Sequence, residues 1–141
     1  MIKFHVPGPP QSKLRHRTVV SGGVVRTYTP AKTRKNEDAG KYIAKIAMGD
    51  TPLIYGAVHV EIHAVFKRPK HDPKRQYHIV KPDLDNIIKQ IADIINGVVV
   101  HDDKQITCVI ASKSYGEDEG VTVTIAATPD LCYNQGSTAS G

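Results

Sequence analysis

The sequence predicts a single α+β domain: a mixed β-sheet with two main helices on one side, in the order β-α-β-α-β-β. Three observations predict it. Residues 57–66 (AVHVEIHAVF) alternate apolar and polar, the period of a strand with one buried face. Residues 86–96 set Ile87, Ile88, Ile91, Ile94 and Ile95 on one face at helical spacing. Strand patterns separate the two helical stretches, and two more close the chain. At 141 residues, one core is expected.

Each element has a local reason. Residues 2–6 (IKFHV) alternate as a strand, which Pro7-Gly8-Pro9-Pro10 ends because proline lacks an amide donor and fixes its backbone angle. Residues 11–29 are polar and basic around Gly22-Gly23, a loop or short hairpin. Thr29 is placed to cap a first helix with Pro30 in its first turn. Glu37, Ala39, Tyr42, Ile43, Ile46 and Ala47 continue that helix to about Met48, and Gly49-Asp50-Thr51-Pro52 ends it.

In the strand at 57–66, Val58, Val60, Ile62, Ala64 and Phe66 share the apolar face, and His59, Glu61 and His63 the other. His-x-Glu-x-His could ligate zinc; polar residues on the wetter face of a half-buried strand is the commoner reading. A basic loop interrupted by Pro69 and Pro73 fills residues 67–80, and loops of that length tend to be functional or mobile. Asn96-Gly97 closes the second helix with a left-handed residue. Residues 104–113 and 120–127 read as strands joined through residues 115–119. One domain is expected over 1–127, with 128–141 a flexible tail rich in Ser, Thr and Gly.

Composition narrows the function. No apolar run approaches the roughly 18 residues of a membrane span, so no membrane partner is expected, and MIKFHVPGPP lacks a signal peptide's apolar centre. Cys108 and Cys132 have no metal-ligand or redox spacing; Cys108 reads as a small core hydrophobe. A reduced, cytoplasmic protein is the expectation. Net charge is +5, but residues 1–89 carry +10 and residues 90–141 carry −5. Lys13, Arg15, Arg17, Arg26, Lys32, Arg34 and Lys35 form one basic group; Lys67, Arg68, Lys70, Lys74, Arg75 and Lys81 form another. Such clustering is the footprint of a phosphate-backbone ligand, or of a face kept charged for solubility. The scattered aromatics offer no stacking platform for unpaired bases, so duplex or branched DNA fits better than single strands.

Within the basic region the second helix is bracketed by carboxylates: Asp83 and Asp85 before it, Asp102 and Asp103 after the run Val98-Val99-Val100. An extended backbone through Asp83 and Leu84 would turn Asp83 and Asp85 to one side, and Lys89 lies one helical turn beyond Asp85. If Val98-Val99-Val100 runs antiparallel to the helix, it brings Asp102-Asp103 back toward the helix start. Two carboxylates about 4 Å apart repel by roughly 4 kcal/mol at an effective dielectric near 20. A group of three therefore calls for a cation, and Mg2+ suits a few carboxylates completed by water and phosphate. Each aspartate also has a plainer reading, as a helix cap or turn residue. An Asp-x-Asp pair also occurs in enzymes that hold a metal-bound diphosphate.

Taken in order, these motifs resemble the RusA-type Holliday junction resolvases, often encoded by phages and prophages. The likeness covers most of residues 2–127. VPGPPQSKLRHR resembles the family's Pro-rich strand exit, RTYTPAKTRKNED its Tyr-Thr-Pro-x-Lys-Thr lead into the first helix, and KSYGEDEGVTVTI its closing strands. KPDLDNIIKQIADIINGVVVHDDKQI is similar to its signature, Pro-Asp-x-Asp-Asn, Lys, Asp-x-x-Asn-Gly, then Asp-Asp-x-Gln. The resemblance implies a RusA-like fold and a homodimer that binds four-way DNA junctions. It further implies symmetric nicking of two strands with Mg2+, Mn2+ substituting, in the recombination and repair of DNA at the nucleoid of a bacterial or phage-infected cell. By position, Asp83, Asp85 and Asp103 match the metal-binding catalytic aspartates and Lys89 the catalytic lysine, with Asn86 beside the acidic pair. The run Val-Val-Val-His departs from the aromatic-containing run of some members, leaving His101 without a role, and Asp102 could share the work of Asp103. Lys13, Arg15, Arg17, Lys67, Arg68, Lys70, Lys74, Arg75 and Lys81 are the expected DNA contacts. Two other classes stay open: a non-catalytic branched-DNA-binding protein, and another Asp-x-Asp phosphate-transfer enzyme, for which no Gly-rich phosphate loop speaks.

Overall fold

A computed structural model describes residues 1–11, 17–28 and 31–128, with backbone only at 17–19, 21, 26–28 and 31–33. The elements are β1 (Ile2–Pro7), β2 (Arg17–Ser21), β3 (Val24–Tyr28), α1 (Ala31–Met48), β4 (Val58–Lys67), α2 (Leu84–Ile95), β5 (Ile106–Gly116) and β6 (Gly120–Ala127). The stretch read as a loop or short hairpin is the hairpin β2–β3, a separate two-stranded sheet turning at Gly22 and Gly23, both left-handed. Lys13, Arg15, the expected cap at Thr29 and Pro30, Cys132 and residues 129–141 lie outside the described residues.

The main sheet has the order β1-β6-β4-β5. β6 pairs antiparallel with both β1 and β4, whereas β5 runs parallel to β4. Parallel neighbours need a crossover connection, and α2 lies within the one that joins β4 to β5. The two closing strands are adjacent in sequence but not in the sheet: they flank β4 on its two sides.

One face of the sheet is apolar. Val58, Val60, Ile62, Ala64 and Phe66 of β4 are buried with Val121, Val123 and Ile125 of β6 and Phe4 of β1. These residues share one core cluster with Ala44 and Met48 of α1 and Ile87, Ile91, Ile94 and Ile95 of α2. Both helices therefore cover the same face. The opposite face is polar, with His5 Nδ1 3.0 Å from Thr122 Oγ1 and His63 Nδ1 2.8 Å from Ser112 Oγ. His5 and His63 thus bond to hydroxyls, and no three His, Cys, Asp or Glu side chains among the described residues stand together as a metal group.

The structure specifies the buried face of α1 and changes one expectation, at Cys108. In α1 the buried line is Gly40, Ala44 and Met48, with Ile43 and Ala47 half-buried, while Tyr42 and Ile46 face solvent. The cause is Gly40, where a Cβ would overlap Ile94 Cδ1, so α1 approaches α2 along its small residues. Cys108 is exposed rather than in the core, because β5 is the sheet's edge strand; its neighbours Val109 and Ile110 are exposed too. No described helix is long and apolar enough to cross a membrane.

Candidate active site

The segment between β4 and α2 is fastened to the sheet at several points. Two turns form, where Asp72 N donates to Pro69 O and Arg75 N to Asp72 O. Arg75 Nε donates to Asp72 Oδ2 at 2.9 Å, so this half-buried guanidinium already has a carboxylate partner. Lys67, Arg68, Lys70, Lys74 and Lys81 are exposed. Further on, Gln76 O accepts from Tyr115 N of β5 at 2.9 Å. His78 is buried (7 % exposed), stacked on Phe66 with ring centroids 3.5 Å apart, and edge-on to Tyr115. Burial lowers the His78 pKa below its ordinary value, and the Lys113 charge lowers it further.

Past His78 the chain reaches the first acidic group. Asp83 is the N-cap of α2, with extended backbone (φ −71°, ψ 149°) and its carbonyl accepting from Ile87 N. The helix starts at Leu84, so the extended stretch ends one residue earlier than the period-two reading requires, and Asp85 lies in the first helical turn. Asp83 makes no side-chain capping bond. Among the described residues, the side chains of Asp83, Asp85 and Lys89 take part in no hydrogen bond or ion pair, and all three are exposed. Positive charge at the helix N-terminus favours both carboxylates there. Lys89 follows Asp85 by one turn on the same face, opposite buried Ile87, Ile91 and Ile94. Asn86 is half-buried beside them.

The second acidic group is held elsewhere. The amides of Val98, Val99 and Val100 all donate to Ile95 O, wrapping the chain tightly around Gly97 (φ +78°). Ile54 N donates to Val99 O and His101 N to Ile54 O, so the return run is pinned to the segment before β4. Asp103 N donates to Asn96 Oδ1 at 3.2 Å. Asp103 is thereby moored at the C-terminal end of α2, whereas Asp83 and Asp85 stand at its start. From Asp85 to Asn96 the helix rises about 16 Å at ~1.5 Å per residue. The valines do not run back along the helix, and the aspartates expected as one set are presented as two groups.

Asp102 has a structural role of its own, with the Asp103 side chain among its neighbours. Asp102 Oδ1 accepts from Lys104 N at 3.0 Å, and Asp102 N donates to Gln105 Oε1 at 2.8 Å, a capping box around the 3-10 turn Asp103–Gln105. The Lys104 N–H is the main cause holding the Asp102 carboxyl below its ordinary pKa. Gln105 Nε2 donates to Ile54 O at 2.7 Å and Gly56 O at 2.9 Å, tying this turn to the same segment. His101, left without a role above, stacks on Tyr55 with centroids 5.2 Å apart.

A family model described as endodeoxyribonuclease RusA matches residues 7–126. The chain belongs to the RusA family. It is also similar to an uncharacterised protein of Bacillus subtilis (strain 168), YqaN, with 30 % identity over 137 residues, 88 % of this chain and 94 % of the relative. RusA membership brings endodeoxyribonuclease activity on Holliday junctions at the level of the family, whose nucleases are generally divalent-metal dependent. The RusA signature residues here have structural explanations: Asn96 holds Asp103, and Gln105 clamps the turn that follows. Two carboxylates without a partner among the described residues fit a hard cation that takes few protein ligands and completes its shell with water and phosphate. Sequence reasoning missed Lys41, whose Nζ donates to Asp93 O and Asn96 O, and Lys113. The signal for Lys113 was its strand position, a cation in register with the buried face of β4.

Proposed function

We propose that this protein is a magnesium-dependent endonuclease that resolves four-way DNA junctions as a homodimer, through paired symmetric nicks. The observation that carries the reading is the pair Asp83 and Asp85, without a partner among the described residues at the start of α2 and with Lys89 one turn on, in a chain of the RusA family. Asp83 and Asp85 hold Mg2+, for which Mn2+ substitutes; when bound, the cation supplies electrophilic assistance to phosphodiester hydrolysis. Lys89 neutralises charge developing on the scissile phosphate or the leaving oxygen. Asp103, at the far end of α2, enters this reading by its position in the family signature and apart from the Asp83–Asp85 pair, while Asp102 is committed to its cap. Exposed Lys67, Arg68, Lys70, Lys74 and Lys81 offset the repulsion between aspartates and DNA and draw the junction arms in. A dyad suits the task, because a junction presents two related strands and an isologous dimer offers each one an equal site. The product serves recombination and repair, which places the enzyme with DNA at the nucleoid.

The test incubates the protein with four-way, duplex and single-stranded DNA, in Mg2+ and in EDTA. Symmetric nicking of the four-way junction in Mg2+ alone is expected. Junction binding without cleavage in any metal would leave a non-catalytic DNA-binding protein.

A further inference from the structure

β5 carries a cation on its helix-facing side. The register sets Ala111, Lys113 and Tyr115 opposite Ile62, Ala64 and Phe66, all buried residues of β4. Lys113 Nζ donates to Val80 O and to Pro82 O, each at 2.9 Å. One ammonium thus gathers the carbonyls on both sides of Lys81, in the last residues before Asp83.

The second bond has a specific consequence. The Pro82 carbonyl belongs to the same planar peptide unit as the nitrogen and Cα of Asp83. Fixing that oxygen fixes the plane from which Asp83 emerges. On its other side, Asp83 is held by α2, since its carbonyl accepts from Ile87 N. We propose that Lys113 is a positioning residue, which sets the direction from which the Asp83–Asp85 segment presents its carboxylates. The inference rests on reading Asp83 and Asp85 as the cation-holding pair. It does not require Lys113 to maintain the fold, because the Gln76 O bond to Tyr115 N and the His78 stack on Phe66 dock the loop independently.

Charge alone predicts the opposite effect. Deleting a nearby positive charge favours cation binding, so a bystander lysine would make the Lys113→Met variant bind a divalent ion more tightly. A positioning lysine makes it bind more weakly. The experiment titrates Mn2+ into DNA-free wild-type, Lys113→Met and Lys113→Arg proteins by water-proton relaxation. Melting temperature, junction affinity in EDTA and the amide exchange of Ile87 are recorded alongside. Expected are Mn2+ affinity weakened by about tenfold in Lys113→Met, the scale of an outer-sphere support, partial recovery in Lys113→Arg, unchanged junction affinity, and faster Ile87 exchange. Unchanged or tighter Mn2+ binding in Lys113→Met overturns the inference, as does a loss matched by a fall in overall stability. If the wild type binds no Mn2+, the reading of the aspartates fails separately. Ile87 exchange then decides whether Lys113 holds the segment.

Discussion

Asp103 is attached to Asn96: its backbone amide donates to the Asn96 side-chain oxygen at 3.2 Å, at the end of α2 opposite Asp83 and Asp85. Asp102, one residue earlier, spends its carboxylate on the Lys104 amide. The two neighbours should therefore respond differently. Asp103→Asn should reduce junction cleavage by orders of magnitude. Asp102→Ala should lower the melting temperature and retain cleavage. Single-turnover nicking assays beside thermal melts check both, and normal cleavage by Asp103→Asn would remove Asp103 from the machinery.

Asp83→Asn and Asp85→Asn each remove a negative charge that no described partner offsets. Both should abolish cleavage while junction affinity, measured by gel shift in EDTA, holds or improves. Lys89→Ala should slow cleavage about 10²–10³-fold, the scale for losing one group that stabilises transition-state charge. An equal loss of affinity and rate would mark Lys89 as an ordinary phosphate contact.

His78 makes stability depend on pH. Its folded pKa is lowered, first by burial and then by Lys113, so between that pKa and about 6.5 the unfolded chain binds more protons than the folded one. The contribution is fully present above the unfolded value and is lost as pH falls through the folded pKa. Melting temperature should drop as pH is lowered below about 6.5, the unfolding free energy falling through this residue by at most about 1.4 kcal/mol per pH unit. His78→Phe, which keeps a ring against Phe66, should flatten that dependence.

Arg75 differs from its basic neighbours because Asp72 already neutralises it. Replacing Lys70, Lys74 or Lys81 by Ala should weaken binding to all junction sequences and flatten the slope of log K against log salt by about one unit for each true phosphate contact. Arg75→Ala should flatten it less. Fluorescence anisotropy across a salt series reads the difference.

Gln90 follows Lys89 but turns inward, 3 % exposed, and among the described residues neither its amide nitrogen nor its amide oxygen has a hydrogen-bond partner. An apolar side chain of similar shape relieves that desolvation cost, so Gln90→Met should stabilise the fold by about 1–3 kcal/mol. Chemical denaturation with an unchanged m-value checks it.

The sequence by itself determined the elements and the first acidic group. Periods of two and of 3.6 in residues 57–66 and 86–96 are local properties, and so is the step from a Pro-restricted backbone at Lys81 and Pro82 into a helix flanked by Asp83 and Asp85. Tertiary structure decided what those elements meet. Nothing local says that β4 will separate β5 from β6, so Cys108 looked like a core residue until β5 proved to be the edge strand. Nothing local says that Gly40 will draw α1 against Ile94 and turn Tyr42 outward. The placement of Asp103 depends on where three valines go after Gly97, and the answer came from Ile54, many residues earlier in the chain. Lys113 reaches Pro82 only because β5 returns beside β4, below the loop that carries Asp83. Periodicity tells which side of an element is apolar; partners distant in sequence are selected by burying those sides together, and that is settled only when the whole chain packs.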